Sequence, residues 1–413
     1  MTLESQTANS IVDPLGSSFL ADPYPHLAQQ REAAPVSYCE DLDMWLVTRW
    51  EDVQTVFRDH ETYSAGNVQA PLLPLCEAAT NTLKGRFNIL PVMSNLDQPG
   101  HTRIRRKLAR AFSARRMRVL TPVIERRCSE MLDSFAGKRE VDLATDLCYP
   151  LPAVTIFSMV GFPEEDTDQI KAWCADKLIV NWGRPTEEHQ IRAAETMVAF
   201  WEYCVEFAQK RRNNPADDMT SDLMADDKDG APLTDQEIAS ILFGLSFAGH
   251  ETTTNQAANC IRQVIENDLW QTLRDDRSLV PGVVEEGLRH DSSVVAWRRM
   301  TTRETELGGV ALPEGAKLMI SLGAANRDPD KFENPDTFDP CRENASNHLS
   351  FGIGIHLCLG RPLAKIELET MLNLLLDRYK GIRFQSGTPL EFPANISFRG
   401  PMRLPVVLDP QSG

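Results

Sequence analysis

The longest regular pattern in this 413-residue chain is an apolar repeat that runs from Thr234 to about Glu266. Its apolar side chains recur at spacings of three and four, the period of an amphipathic helix: Ile238, Ile241, Leu242, Leu245 and Ala248. Thr234 and Glu237 have the spacing of a capping box, so the helix is expected to begin there. At 1.5 Å per residue such a helix is at least about 45 Å long, which is enough to cross the whole domain.

A glycine-punctuated loop, residues 351–360 (FGIGIHLCLG), presents Cys358 directly before a second helical pattern that opens at Arg361 and Pro362. Proline suits the first turn of a helix, and this helix has an apolar face made of Leu363, Ile366, Met371, Leu374 and Leu375. Three glycines permit turns that a side chain would forbid, and a close approach to a flat cofactor: Gly352, Gly354 and Gly360. Cys358 therefore precedes a positive helix end, where backbone N–H groups stabilise a thiolate, the form that binds metals.

Other interpretations of Cys358 stay open on the residues alone. Most lone cysteines are small buried hydrophobes. A glycine-rich turn before a helix can also hold phosphate, although the Gly-Lys-Ser/Thr ending of a phosphate loop is absent here. A zinc site needs companion ligands at short spacing, and Cys341, His348 and His356 are not so spaced. One thiolate without protein partners fits a haem, because the porphyrin supplies the equatorial ligands.

Residues 351–360 match F-G-x-G-x-H-x-C-x-G and resemble the haem-ligand loop of the cytochrome P450 family. Three further motifs occur in the family's order, so the resemblance covers essentially the whole chain. It implies a mainly α fold with small β-sheets, the cytochrome P450 fold, in a single haem-thiolate monooxygenase domain over residues 1–413. It also implies haem b as the cofactor, Cys358 as the iron ligand, and Phe351 and Gly360 as part of the haem-binding loop.

The segment AGHETT, which begins at Ala248 inside the long helix, is similar to the family's stretch over the distal face of the haem. Taken alone, Thr and Glu in a helix are often simply solvated, and a Thr hydroxyl often donates to a preceding backbone carbonyl. The resemblance implies that Ala248 and Gly249 border the haem. It also implies that the Thr252 hydroxyl hydrogen-bonds dioxygen and that Glu251 helps to relay protons from solvent.

Haem carries two propionates, and buried anions need cationic or hydrogen-bonding partners. The resemblance implies that these partners are His101 and Arg105, at the start of the family's third helix, with Arg299 and His356. Each of the four, taken singly, reads as an ordinary surface cation. The family positions make propionate binding the better interpretation.

A second family motif is the E-x-x-R sequence of Glu286 and Arg289, whose one-turn separation lets the side chains meet. Such pairs are often surface features that contribute little stability. In the family the pair is buried and tied to a later meander, which residues 325–339 resemble, so we assign both side chains to the fold and not to chemistry.

The formal net charge is -16 and the pI is near 5.0, which argues against nucleic acid as a partner. One segment is nevertheless basic and is predicted to lie outside the inward helix face: Arg103, Arg106, Lys107, Arg110, Arg115, Arg116 and Arg118. A basic run is usually a solvated face. In the family this helix borders the side where acidic electron-transfer proteins dock, so we expect these residues to steer a ferredoxin.

The N-terminal residues 1–9 are polar and lack the basic-then-apolar order of a signal peptide. No apolar run is long enough to span a bilayer, so a cytoplasmic enzyme without a membrane anchor is expected. Nine irregularly spaced cysteines in such a chain predict reduced thiols. The acidic stretch 217–230 is expected to be a surface loop or a hinge before the long helix.

The implied partners are a small apolar substrate, O2, and a ferredoxin with its ferredoxin reductase. Residues 181–185, 295–299 and 395–401 further resemble bacterial haem domains that are sometimes fused to a flavin/iron-sulfur reductase. That narrower likeness suggests small aromatic ethers or thiocarbamates as substrates. Since the chain stops at Gly413, its electrons come either from separate proteins or from a reductase missing from this chain.

Candidate substrate-contacting segments are residues 67–93, 179–182, 294–296 and 397–398, with Leu245 and Ala248. A peroxide-driven haem enzyme is one alternative, against which the Glu251 and Thr252 pair argues. A haem-based sensor is another, in which that pair would be idle. Ser292-Ser293 departs from the Ser-Pro of many relatives, so the shape of that loop is left open.

Overall fold

The computed structural model describes residues 8–225 and 231–410. Most of these residues are helical, as the apolar periodicity predicts. The α-helices are α1 (Ser17–Ala21), α2 (Pro23–Ala33), α3 (Trp50–Arg58), α4 (Glu77–Leu83), α5 (Gly100–Ala111), α6 (Ala114–Asp133), α7 (Pro150–Val160), α8 (Thr167–Trp182), α9 (Glu187–Asn213), α10 (Met219–Met224), α11 (Asp235–Glu266), α12 (Trp270–Asp275), α13 (Val280–His290), α14 (Leu322–Ala325) and α15 (Arg361–Arg378).

The strands are short and form small sheets. They are β1 (Val36–Cys39), β2 (Met44–Val47), β3 (Tyr63–Ser64), β4 (Glu140–Asp142), β5 (Ala296–Thr301), β6 (Thr305–Leu307), β7 (Val310–Leu312), β8 (Lys317–Ser321), β9 (Tyr379–Phe384) and β10 (Pro405–Pro410). One sheet has the order β1-β2-β8-β5-β3, a second has the order β4-β10-β9, and β6 pairs with β7. Strands β2 and β8 are parallel, and the other pairs are antiparallel. The predicted mainly α class with small β-sheets is confirmed.

Helix α11 is the centre of the helical core. The Thr234 side chain accepts from the N–H of Glu237 at 3.2 Å, and the Glu237 carboxylate accepts from the N–H of Thr234 at 2.8 Å. The capping box therefore forms as predicted. The helix packs against α7, α9, α13 and α15, and most of its side chains are buried. The predicted domain-crossing helix is confirmed.

The Glu286 and Arg289 pair joins α13 to the long loop between α14 and α15. Arg289 binds both carboxylate oxygens of Glu286, at 2.6 and 2.7 Å, and neither side chain is exposed. Arg289 also donates to the carbonyls of Asn326 and Pro335 at 2.9 and 2.8 Å. Glu286 accepts from Arg342 at 3.1 Å. The prediction of a buried structural pair tied to the meander is confirmed.

One local prediction is wrong. The stretch 217–230 was expected to be a surface loop, but α10 occupies part of it because Met219 and Leu223 pack into the core. Residues 226–230 lie outside the described part, as do residues 1–7 and 411–413. Two helices, α1 and α2, also precede the first strands. In the part of the chain that the structure describes, the helices all fall short of the length and apolarity that crossing a membrane requires.

Candidate active site

The cysteine loop, residues 351–360, is shaped by two glycines. Gly352 and Gly354 have φ values of +65° and +75°, a conformation that favours glycine. A Cβ on Gly354 would also lie 2.8 Å from the carbonyl oxygen of Phe57 in α3. The N–H of Cys358 then donates to the carbonyl of Phe351 at 3.0 Å. The loop is thus a closed turn that fixes the position of the cysteine.

The Cys358 thiol lies at the start of α15. Burial raises the pKa of this thiol above its usual value, and the N–H groups of Gly360 and Arg361, with the charge of Arg105, offset part of the rise. The residue nevertheless has an exposed surface, so it borders an internal space. A cation bound to the sulfur would favour the thiolate. Gly360 has a right-handed φ of -75°, so the prediction that its turn excludes a side chain is wrong.

Four basic side chains converge beside the cysteine loop. The ring centres of His101, on α5, and His356 lie 4.4 Å apart. The positive charges of Arg299, on β5, and Arg105 act on both rings. Arg105 also donates to the carbonyl of Leu357 at 2.6 Å, which ties α5 to the loop. The structure therefore brings together the four side chains that the sequence assigned to one group.

This cluster has more donors than acceptors. Burial, reinforced by nearby cations, lowers the pKa of His101 to about 4 and that of His356 to about 3. In the described residues, both ring nitrogens of His101 and Nε2 of His356 are buried without a hydrogen-bond partner. The nearby carboxylate of Asp97 already accepts from Ser64. Because buried polar groups are normally paired, the cluster fits an added pair of anions, and haem propionates are such a pair.

One face of α11 is accessible in a helix that is otherwise mostly buried. Ala248 is exposed, and Leu245, Gly249 and Thr252 are partly exposed. Their spacing of three and four places them on one face. Gly249 has a packing role too, since a Cβ there would lie 2.4 Å from Cγ1 of Ile156 in α7. This face can border a flat ligand without a large rearrangement.

Thr252 and Glu251 lie at the same level of α11. The Thr252 hydroxyl donates to the carbonyl of Ala248 at 3.0 Å, so its oxygen is left free to accept a hydrogen bond. The Glu251 carboxylate is buried, and its Oε1 lies 3.2 Å from Nε2 of His250. Nδ1 of His250 is 2.6 Å from the carbonyl of Ser246 and must carry a proton there.

His250 is a side chain to which sequence reasoning assigned no role. Its Nε2 lies beside the Glu251 carboxylate but has no hydrogen-bond partner among the described residues. The two side chains are therefore buried neighbours next to Thr252. The signal in the sequence was the position of His250, one residue before the acid and four after Ser246.

The basic segment is less uniform than predicted. Lys107 is buried, so its placement outside the inward face is wrong. Arg103 is paired with Glu237 at 2.6 Å, and Arg116 with Asp222 at 2.8 Å. The side chains that remain exposed are Arg106, Arg110, Arg115 and Arg118.

Of the candidate substrate-contacting residues, Trp182 belongs to the core. Its ring stacks on Trp297 with centres 5.5 Å apart, and Arg298 lies 4.1 Å from its centre. Leu72 is buried as well, whereas Leu73, Phe87 and Ile89 are partly exposed. Trp182 and Leu72 are therefore core residues and not accessible contacts for a substrate.

Comparisons with known proteins agree with this geometry. A family model described as "Cytochrome P450" matches residues 258–395. Cytochrome P450 107B1 of Saccharopolyspora erythraea is 35% identical over 395 residues, which cover 94% of this chain and 96% of the relative.

Solved structures extend the likeness to the fold. The cytochrome P450 CREJ in complex with (4-ethylphenyl) dihydrogen phosphate is 35% identical, with a TM-score of 0.92, and the match covers 94% of this chain and 98% of that one. An intact type IV self-sufficient cytochrome P450 monooxygenase is 33% identical with a TM-score of 0.91. That match covers 97% of this chain and 53% of the other.

Proposed function

Since this chain belongs to the cytochrome P450 family of haem monooxygenases, which use O2 and redox partners, we propose that it oxidises a small apolar organic substrate by hydroxylation or oxidative dealkylation. Its electrons come from a ferredoxin and a ferredoxin reductase, or from a fused reductase. The observation that carries this proposal is the group of partnerless donors beside an accessible cysteine.

The cofactor in this proposal is haem b, with Cys358 as the iron ligand. His101, Arg105, Arg299 and His356 bind the propionates, which supply the acceptors that the two histidines lack. Phe351, Gly360, Ala248 and Gly249 would border the porphyrin. These residues come from α5, β5, α11 and the cysteine loop, so a single domain over residues 1–413 is part of the proposal.

The protein's own contribution is to position groups and to move protons. When bound, the haem supplies the activation of O2, and the thiolate of Cys358 favours cleavage of the oxygen–oxygen bond. Thr252 would offer its oxygen as a hydrogen-bond acceptor at this site, because its own proton is held by the carbonyl of Ala248. Glu251, whose buried carboxylate lies beside His250, would relay protons toward that position. One oxygen atom enters the substrate and the other leaves as water.

Thr252→Ala is expected to separate electron consumption from product formation. Without the hydroxyl, protons reach the wrong oxygen atom and reducing equivalents leave as hydrogen peroxide. Product formed per electron pair should fall about tenfold or more, while haem content is unchanged. Product and peroxide are measured together in one assay, with Thr253→Ala, at a buried neighbour, as the control. Unchanged coupling in Thr252→Ala would remove Thr252 from its proposed role.

The electron donor is proposed to dock near the exposed arginines of α5 and of the start of α6. The rate of haem reduction by a reduced ferredoxin should fall about tenfold between about 0.05 and 0.5 M salt, because screening removes the steering. The triple variant Arg106→Gln, Arg115→Gln, Arg118→Gln should be slow already at low salt. Arg383→Gln, on the three-stranded sheet and 58% exposed, is the control. A rate that stays flat across salt contradicts this docking site.

The substrate is proposed to be a small aromatic compound, with aromatic ethers and thiocarbamates as the first candidates. The aromatic phosphate held by the similar CREJ structure supports a single-ring substrate. The proposed function is tested by turnover with reductant and ferredoxin, compared with turnover on peroxide alone. Efficient turnover on peroxide alone, without turnover on reductant, would indicate the peroxide-driven alternative.

A further inference from the structure

Lys177, on α8, is a buried lysine whose charge the proposed reaction does not use. Only 6% of the residue is exposed. Burying an ammonium is costly unless an opposite charge compensates it. In the described residues, Lys177 forms no ion pair with a carboxylate. The chain as a whole contains more acidic than basic residues. The lack of a carboxylate partner for Lys177 among the described residues is therefore a feature of this site and not of the composition.

The hydrogen bonds of Lys177 are incomplete. An ammonium group has three N–H donors, and one of them binds Oε1 of Gln69 at 2.9 Å. The Gln69 amide is held in place by a bond from its Nε2 to Oγ of Ser94 at 3.1 Å. The rings of Phe243 and Phe247 lie 4.9 and 4.5 Å from Nζ. Aromatic faces stabilise a cation more weakly than an anion does. The ammonium of Lys177 therefore keeps its capacity to bind an anion.

The place of Lys177 relates it to the proposed substrate site. Phe247 directly precedes Ala248, the exposed residue of α11. Gln69 and Ser94 belong to the partly exposed segment 67–93 and its continuation, which the sequence predicts to contact substrate. The ammonium therefore lies where α8, α11 and this segment meet.

A second buried cation holds the same segment. Arg298 is 1% exposed and donates to the carbonyls of Val68 and Ala70 at 2.9 and 2.8 Å. Its Nε has no partner in the described residues. Val68 and Ala70 flank Gln69, so two buried cations act on three consecutive residues without a carboxylate. This end of the site has a positive potential that an anionic ligand would neutralise.

We propose that Lys177 binds an anionic group of the substrate, a carboxylate or a phosphate monoester carried by a small aromatic body. The inference rests on the proposed function, because it assigns a substrate class to the same site. The aromatic body lies against the open face of α11, which carries Leu245 and Ala248. The anion takes the free donors of Lys177, and the opposite end of the molecule is directed to the oxidation site.

Matched ligands test the proposal by isothermal titration calorimetry and by the spin-state shift of the ferric haem. The probes are 4-methoxybenzoate and 4-methoxyphenyl phosphate as anions, and 4-methoxybenzamide as a neutral ligand of the same size. In Lys177→Met the affinity for at least one anion should fall about 10- to 100-fold, while the affinity for the amide stays within about threefold. Lys177→Arg, which keeps the charge, should retain most of the anion binding. Lys171→Met is the control, because Lys171 lies on the same helix and is already paired with Asp168.

The wild-type protein gives a second test that needs no variant. Burial lowers the pKa of Lys177 to about 8, and the titratable neighbour that acts on it is Cys174, whose thiol pKa burial raises well above its usual value. The other contacts, from α11 and from Gln69 and Ser94, do not titrate. The ammonium is present below about pH 8 and is lost above it. Anion affinity should therefore fall about tenfold per pH unit above that pKa, and amide affinity should not.

Equal losses for anions and amide in Lys177→Met, or no loss for either, would overturn the proposal. A pH profile that is flat for both ligands would overturn it as well. The proposed function has a separate readout, because loss of the thiolate haem spectrum or of all ligand binding in the wild type would contradict that function itself.

Discussion

Cys358→Ser is expected to abolish monooxygenase turnover. A serine hydroxyl does not replace the thiolate, so the electron donation that favours cleavage of the oxygen–oxygen bond is lost. The rate of product formation should fall by at least about 1,000-fold, which corresponds to about 4 kcal/mol of transition-state stabilisation. Turnover with reductant and ferredoxin, normalised to the haem content of each preparation, measures the effect.

Cys341→Ser is the matched control for this substitution. Cys341 is also a free, exposed cysteine that precedes α15 in the sequence, and it has no role in the proposed reaction. Its replacement should leave turnover within about twofold of the wild-type rate. If Cys358→Ser kept turnover comparable to that of Cys341→Ser, the sulfur at position 358 would not be the iron ligand.

Arg289→Leu has the second large effect, and it acts on stability. The substitution leaves the buried carboxylate of Glu286 without its bidentate partner and removes donors from the carbonyls of Asn326 and Pro335. Breaking a buried ion pair by removing one partner costs about 3–5 kcal/mol. Urea unfolding of the haem-loaded protein, followed by circular dichroism, should show this decrease in the free energy of unfolding. The slope of that free energy against urea concentration should not change.

An exposed pair provides the control for Arg289→Leu. Arg126 and Glu130 are one turn apart on α6, 3.2 Å from each other, with side chains 58% and 47% exposed. Arg126→Leu should change the free energy of unfolding by less than about 1 kcal/mol. A loss in Arg289→Leu no larger than that of Arg126→Leu would contradict the structural role of the pair. Arg289→Lys should also destabilise, because an ammonium cannot bind two oxygens in a fork.

Local patterns predicted the parts of the fold that depend on neighbouring residues. The capping box at Thr234 and the apolar period placed α11 to within one residue, because a helix start and its buried face are both encoded locally. The turn at Gly352 and Gly354 was also recognised, and their positive φ values bear it out. By contrast, Gly360 has an ordinary right-handed φ. Backbone conformation therefore does not explain why this position is a glycine.

Side-chain environments created by distant segments were not predictable in this way. Lys107 was predicted to lie outside the inward helix face, and Lys177 drew no prediction, yet both are buried because other elements cover them. The shape of the Ser292-Ser293 loop could not be predicted for the same reason. There the N–H of Ser293 donates to Oε1 of Gln256 at 2.9 Å, a bond that proline could not make. The meeting of His101 and His356 followed from the family resemblance and not from spacing.

The role of Cys358 as the thiolate ligand of a haem iron underlies every step proposed for this protein, and one spectrum tests it. The protein is reduced with dithionite, exposed to carbon monoxide, and its difference spectrum is recorded. We expect the red-shifted Soret band from which the cytochrome P450 family takes its name, and we expect Cys358→Ser to lose it. Folded, haem-loaded wild-type protein that showed only the shorter-wavelength band of a haem without thiolate would contradict that role.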